Sequence, residues 1–560
     1  MAFLAAVFSI QLCLINTDAI SKKCKTKCLP QLNITLVERR FVKISILAKQ
    51  NNIMRAKTLF IHSLFLFLLY SFPAFSQVDS NRVARPEKYI TKHSVKIDNK
   101  SISYTATAGT LLLKNENGEA VALIGYTAYT KEGETNMSAR PVTFSYNGGP
   151  GSSSMWLHMG VMGPKRVVVN DPYFNGPAPY KTEDNNFSIL DVSDIVMIDP
   201  VGTGISRAVG NSKNSDFWGV DPDIKSVSQF IRNYVNENER WNSPKYLLGE
   251  SYGTFRSAGV ADYLQANFGI AVNGVILVSN VLDIRTLSFN PGDDISYIVN
   301  FPTYAATAWY HSKLVNKPAN LDAYLKEVRT FSFGDYAAAL LKGDQLSNSE
   351  RDIVLNKLVA YSGISKDYWD KANLRVNQPQ FAQELLRHEH FAVGRLDSRY
   401  KGTIKNLLAE SAANDPQSIA ISPAYITAFL HYYTTELKVP ADKMYFTNAG
   451  GAWPDFKWNW KHARSQGLFG EASSPSTAPD LLNVMTNNPR LKILIQNGIY
   501  DMATPFAASE YTFDHMGLDK SLKANIIHKY YEAGHMMYIH NESAAMFKKD
   551  VVEFIASTLK

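Results

Sequence analysis

From about residue 141 the chain alternates short β-rich runs with longer stretches of helical pattern. Pro141–Ser145, Asp194–Ile198, Lys245–Leu248, Val275–Val278, Leu491–Ile495 and Ile527–Tyr531 read as strands, and Pro222–Asn236 and Ser257–Asn267 as helices. Strands separated by helices predict a mostly parallel sheet wrapped by helices, an α/β fold. Upstream, Ala106–Leu113 and Ala120–Tyr129 flank a turn at Asn115-Glu116-Asn117-Gly118 and predict a β-rich extension over residues 77–140. Between 284 and 440 the pattern turns helical and aromatic without clear strands, as in Leu321–Val328, Tyr336–Leu341 and Tyr425–Tyr433. That stretch is expected to be a helical cap inserted between two parts of one core, residues 77–283 and 441–560.

The first 76 residues follow another logic. Met54-Arg55-Ala56-Lys57 is basic, Thr58–Tyr70 is an apolar run, and Ala74-Phe75-Ser76 places small residues where a signal peptidase reads. This is the pattern of a secretory signal peptide over 54–76, with cleavage after Ser76 leaving Gln77 first. The run is shorter than the ~20 residues a spanning helix needs and ends at Pro73, so a permanent anchor is the weaker reading. Residues 1–53, with a second apolar run at Met1–Ile15, are expected to be a non-native leader preceding a true start at Met54. The mature chain is expected to be exported, to a periplasm or to the medium, without a stable membrane span.

Charge sharpens this division. The net charge of +7 comes from the leader, where residues 1–76 hold ten basic side chains against two acidic ones. The remainder carries 48 bases and 49 acids, so a nucleic-acid partner has no electrostatic support. The only cysteines, Cys13, Cys24 and Cys28, also lie in the leader, which excludes a disulfide, a thiolate metal site or a cysteine nucleophile from the body. With 45% hydrophobic residues, the body can bury a large core.

The chemistry starts at Lys245–Arg256, a strand followed by Gly249-Glu250-Ser251-Tyr252-Gly253 and a helix. Glycines flanking a serine at a strand-to-helix turn let the chain bend sharply and lift the hydroxyl above the sheet. A serine hydroxyl needs a base to take its proton and a carboxylate to orient that base. Both are expected downstream at strand ends, where Asp501 follows Leu491–Ile495 and His535 follows Ile527–Tyr531 through Glu532-Ala533-Gly534. The oxyanion of a tetrahedral intermediate needs N–H donors. Asn147-Gly148-Gly149-Pro150-Gly151, directly after the first strong strand, can supply one, and the amide of Tyr252 a second.

Together, Asn147–Gly151 with Ser152-Ser153-Ser154, Asp199–Gly204, Gly249–Gly253, Asp501-Met502 and Gly534-His535-Met536 resemble the serine carboxypeptidase family, in its bacterial branch, over about residues 85–560. The resemblance implies an α/β-hydrolase fold with a helical insertion and release of single residues from peptide C-termini. It implies Ser251 as nucleophile, His535 as general base and then acid, Asp501 as its orienter, and the Gly149 and Tyr252 amides as the oxyanion hole. It also implies that Asn147 and Glu250 bind the substrate's terminal carboxylate, with Gly148 and Met536 lining the substrate site. No metal or organic cofactor is implied. Three positions depart from the pattern: Val161 stands where many members carry a second glutamate, Ser145 where a tryptophan is usual, and Ser152 where a cysteine is usual. Without the second carboxylate, one cause of a raised Glu250 pKa is missing, and a milder acid preference is expected.

Other candidates weigh less. His388-Glu389-His390 resembles a metal cluster, but a spacing of two on a helix sends the imidazoles to different faces. Tyr304, Trp309, Trp453, Trp458 and Trp460 are read as either substrate pocket or core. Arg395-Leu396-Asp397-Ser398-Arg399 reads as a surface ion-pair segment, and Gly202-Thr203-Gly204 is not a dinucleotide loop. An esterase or acyltransferase on the same three residues is the alternative enzyme, and a non-catalytic exported binding protein the alternative of another class.

Overall fold

Strands Lys88–Ile97 (β1), Lys100–Lys114 (β2), Ala120–Lys131 (β3), Val142–Tyr146 (β4), Asp194–Ile198 (β5), Lys245–Glu250 (β6), Gly274–Val278 (β7), Lys492–Gly498 (β8) and Ile526–Tyr531 (β9) line up as β1-β2-β3-β5-β4-β6-β7-β8-β9. A two-residue strand, Arg207–Ala208, pairs with β3 and completes a ten-stranded sheet. The computed structural model describes residues 84–559, except 468, 469, 472 and 473. The expected signal peptide at 54–76, the expected non-native leader at 1–53 and the three cysteines therefore lie outside the described residues.

From β5 to β9 every neighbouring pair is parallel, whereas β1, β2, β3 and β5 pair antiparallel. The sequence explains this division. β4, β5 and β7 are short runs buried at every position, as a parallel sheet covered on both faces requires. β1 alternates exposed and half-buried positions and closes the edge. It is a strand that the sequence reading did not separate from the flanking polar segment.

Helices Val220–Glu237 (α1) and Tyr252–Phe268 (α2) cover one face of the sheet. There Leu247 of β6 and Val275 and Leu277 of β7 meet Phe230, Phe255 and Leu264. The alternate residues Tyr246, Leu248, Ile276 and Val278 point to the other face, against Tyr425 and Phe429 of Pro416–Thr435 and Phe554 and Ile555 of Asn541–Thr558. Two-residue periodicity thus feeds two cores from each central strand. This mostly parallel mixed sheet between helical layers is an α/β fold of the α/β-hydrolase arrangement.

Residues 295–362 contain helices Ile295–Tyr310 (α3), Leu321–Phe331 (α4) and Asn348–Ser362 (α5), the last opened by a Ser347/Glu350 capping box. They share a third core, where fully buried Trp369 and Phe301 pack together and Tyr304 stacks on Phe381 with centroids 4.1 Å apart. Ile499, Tyr500, Met502 and Phe506 belong to the same core, so the loop bearing Asp501 is packed against the insertion. The insertion also holds an antiparallel ribbon, Phe391–Val393 with Lys401–Thr403, in a stretch expected to lack strands. Each arm is three residues long, too short for alternation to register in the sequence. Among the described residues no helix is long and apolar enough to cross a membrane.

Candidate active site

Ser251 follows β6 directly and precedes α2 with φ 60° and ψ −129°. A non-glycine residue held at positive φ stores strain on the order of 1–3 kcal/mol, which the surrounding sheet and helix must sustain. The turn is sharp enough that a Cβ on Gly249 would come within 2.1 Å of the Gly253 carbonyl oxygen, so no side chain fits there. The Ser251 amide donates to the Val278 carbonyl at 2.9 Å, which ties the elbow to the end of β7.

β4 lies beside β6 in parallel, with Tyr146 opposite Gly249. The turn leaving β4 is thereby pressed against the elbow: a Cβ on Gly148 would sit 2.4 Å from the Tyr252 nitrogen. Among the described residues, neither the Gly149 nor the Tyr252 amide donates to a carbonyl, so both remain available to a ligand oxygen. Arg256, completely buried in α2, donates to the Asn147 carbonyl at 2.8 Å and to Asp223 at 2.7 Å, fixing the turn from below.

Asp501 and His535 leave β8 and β9, which are parallel neighbours. Asp501 is fully buried. Its Oδ1 accepts from the Ala503 and Thr504 amides at 2.8 and 3.0 Å, and its Oδ2 from Thr504 Oγ1 and from His535 Nδ1, both at 2.7 Å. With the carboxylate accepting, Nδ1 carries the proton and Nε2 is left with its lone pair. Burial alone would lower the His535 pKa, but the charge and hydrogen bond of Asp501, helped by Glu250, raise it overall. The His535 carbonyl accepts from Ser279 Oγ at 2.6 Å. Ser279 follows Val278, the partner of the Ser251 amide, so base and elbow share the end of β7. Among the described residues, neither Ser251 Oγ nor His535 Nε2 makes a hydrogen bond.

Glu250 is buried beside the elbow and accepts from Asn147 Nδ2 at 2.9 Å through Oε1. Its other oxygen, Oε2, is buried without a hydrogen bond. Burial, the largest influence, pushes the carboxyl up to about 7, against lowering by His535, Tyr538 and Asn147. Val161 is fully buried in a π-helical turn, His158–Met162. The milder acid preference expected from its presence rested on a missing second carboxylate. Burial supplies the upward shift without one. Met536 is nearly buried next to His535.

The segment Arg395–Arg399 corrects the sequence reading. Arg395 is exposed as expected, but the rest is no surface strip: Asp397 and Ser398 are fully buried, Arg399 is 6% exposed, and Arg399 binds Asp397 and Asp171. The segment's backbone holds the loops that bear Asp501 and His535. The Met502 amide donates to the Arg395 carbonyl at 3.1 Å, the Ser398 amide to Tyr500 at 2.9 Å and the His535 amide to Leu396 at 2.7 Å. Alternating charges looked like a solvated ion-pair run, and only the fold buries them. Thr504 and Ser279 escaped the sequence reading altogether, and Asp397 entered it only as part of a surface segment. Thr504, three residues after Asp501, carries a local signal, because a carboxylate readily accepts from amides two and three residues on.

The remaining candidates disperse. Trp458 and Trp460 meet the Tyr252 ring edge-on at 5.2 and 5.8 Å, while Tyr304 is cap core, Trp309 donates to Pro318 and Trp453 to Gly202. His388, Glu389 and His390 are exposed, and Glu389 pairs with Lys313. A cavity of about 820 Å³ lined by Tyr310, Phe391, Arg399 and Lys401 touches none of Ser251, Asp501 and His535.

Residues 126–262 match the family model described as serine carboxypeptidase. No curated protein matches the chain. Among solved structures, the chain is similar to Kex1(Δ)p, a prohormone-processing carboxypeptidase from Saccharomyces cerevisiae, at 15% identity over 81% of this chain and 92% of that one, with a TM-score of 0.48. Similarity also extends to a proline iminopeptidase from Mycobacterium smegmatis (13% identity, 84% and 98% covered, TM-score 0.32). A peroxisomal α/β-hydrolase from Saccharomyces cerevisiae is a third (12% identity, 84% and 90% covered, TM-score 0.31).

Proposed function

We propose that the chain is a serine carboxypeptidase, the family whose model its residues 126–262 match, and that it removes C-terminal residues from peptides through an acyl-enzyme built on Ser251, His535 and Asp501. The observation that carries this reading is the pair His535 Nδ1 and Asp501 Oδ2 at 2.7 Å, set at parallel strand ends beside a strained serine elbow. His535 Nε2 takes the Ser251 proton as Oγ attacks the scissile carbonyl carbon. The oxyanion forms against the Gly149 and Tyr252 amides. Collapse breaks the C–N bond, and His535 returns the proton to the leaving amine. Water then repeats the sequence and frees Ser251. Closing the remaining serine-to-imidazole hydrogen bond is a step that bound substrate can complete.

Specificity for a free C-terminus would rest on Asn147 and Glu250. An ionised Glu250 repels a substrate carboxylate, whereas a protonated one donates to it, and burial favours the protonated form. The signal pattern at 54–76 supports export ahead of this activity. N-blocked dipeptides, their amides and simple esters test the assignment. Release of a free amino acid from the acid substrate is the expected result, with turnover lowered about a million-fold in Ser251→Ala. Ester cleavage alone would point to an esterase, and unchanged turnover in Ser251→Ala would overturn the mechanism.

A further inference from the structure

The order of events at His535 fixes which part of the substrate lies beside it. Because the imidazole must hand a proton to the departing amine, groups flanking His535 flank the residue that leaves. One such flank is the segment Arg395–Arg399, whose Leu396 carbonyl accepts the His535 amide at 2.7 Å and whose Arg395 carbonyl accepts the Met502 amide at 3.1 Å. Residue 395 is therefore anchored by its backbone between the acid loop and the base loop.

The side chain of Arg395 stands out from its neighbours. Arg399 is locked between Asp397 and Asp171. Asp415 spends its carboxylate on the amides of Arg395, Leu396 and Ser418. Arg395 itself is exposed, and among the described residues its guanidinium forms neither an ion pair nor a hydrogen bond. Its charge is nonetheless felt at His535, where it opposes protonation. Glu250 and Asp501, the carboxylates that act on His535, are buried and cannot swing out to meet it.

We propose that Arg395 reads the side chain of the leaving C-terminal residue, making the enzyme prefer acidic residues there and disfavour basic ones. This deepens the carboxypeptidase reading and rests on it. The substrate class is a peptide ending in aspartate or glutamate, whose side-chain carboxylate meets the guanidinium at the cleft rim. The pair is partly solvated, so it contributes discrimination of modest size that salt will screen.

The test compares kcat/KM of the wild-type protein and of Arg395→Glu and Arg395→Lys on N-blocked dipeptides ending in Glu, Gln and Lys. The wild type is expected to favour the Glu substrate over the Lys substrate by about tenfold at low salt. Arg395→Lys should retain that order and Arg395→Glu should invert it. An unchanged Glu-to-Lys ratio in Arg395→Glu overturns the inference. So does an equal loss on all three substrates, which would mark a role toward the terminal carboxylate common to them or a role in the fold. Release of no amino acid by the wild type would instead overturn the carboxypeptidase reading, and this inference with it.

Discussion

Asp397 Oδ2 accepts the backbone N–H of Gly534 at 3.0 Å, so a buried carboxylate from the insertion holds the residue just before His535. The approach is tight: a Cβ on Gly534 would lie 2.3 Å from the Asp397 Cβ. The same carboxylate takes the Arg399 guanidinium, whose other partner is Asp171. The base loop is thus positioned from outside the sheet that carries it.

Replacing Asp397 by alanine leaves Arg399 with one fewer carboxylate and the Gly534 amide unpaired. A buried pair broken from one side costs about 3–5 kcal/mol. Denaturant unfolding is expected to register a loss of that order. In Asp397→Asn, which keeps an acceptor for the amide, kcat should fall more than KM changes, because the loop loses definition while the binding groups stay in place. Equal thermal stability of Asp397→Ala and wild type would contradict this account.

The pH profile follows from Glu250 and His535 taken as a coupled pair. In its proposed role toward a terminal carboxylate, Glu250 must be protonated, which requires a pH below about 7. Catalysis needs His535 neutral, and its pKa is raised. These demands oppose each other, so kcat/KM for a free-acid peptide should trace a narrow bell near neutrality. KM should rise on the alkaline side by up to about tenfold per pH unit. Glu250→Gln, neutral at every pH, should flatten KM between pH 5 and 8. A wild-type KM constant over that range would remove Glu250 from carboxylate recognition.

His462 closes the strap that packs Trp458 and Trp460 on Tyr252. Its Nδ1 meets Asp221 Oδ1 at 2.6 Å and its Nε2 meets Asp480 Oδ2 at 2.8 Å. Burial alone lowers its pKa, but the two carboxylates overcome this and raise it to about 9. Since the folded value lies above the unfolded 6.5, this stabilisation is complete below about pH 6.5 and is lost as pH rises through about 9. His462→Gln should therefore be less stable than wild type by about 1–2 kcal/mol at pH 6 and nearly equal to it above pH 9. Thermal melts at both pH values measure this directly.

Gly148 lies in the turn proposed to supply an oxyanion donor, pressed against the Ser251 elbow. Gly148→Ala would force a methyl against the Tyr252 nitrogen and the Glu250 carbonyl oxygen, both backbone atoms. The turn must retreat and carry the Gly149 amide with it. A drop in kcat of about 10²–10³-fold with a smaller change in KM is expected, the size of losing one oxyanion donor. Steady-state kinetics on an ester substrate would check it, since an ester needs the oxyanion donors and lacks the terminal carboxylate.

Local signals carried much of this protein. The strand-to-helix turn around Ser251 was readable because the glycines and the apolar run that demand it are contiguous. Asp501 and His535 were readable because each follows a late apolar run, and the structure brings them together at 2.7 Å. Burial of Asp397, Ser398 and Arg399 was not readable, since the five residues Arg395–Arg399 suit a solvated rim or a buried brace equally well. The difference lies in Gly534 and Tyr500, more than a hundred residues away in sequence.

By itself the chain determined the alternation of strands and helices, the order of its candidate catalytic residues and the near-neutral charge of its body, all properties of neighbouring residues. Tertiary structure alone decided that burial raises Glu250 without a second carboxylate, that the insertion braces the loop bearing His535, and that the exposed Arg395 guanidinium has no hydrogen bond or ion pair among the described residues. Solvent exposure and electrostatic environment are sums over everything that surrounds a group in space. No window along the sequence contains those surroundings.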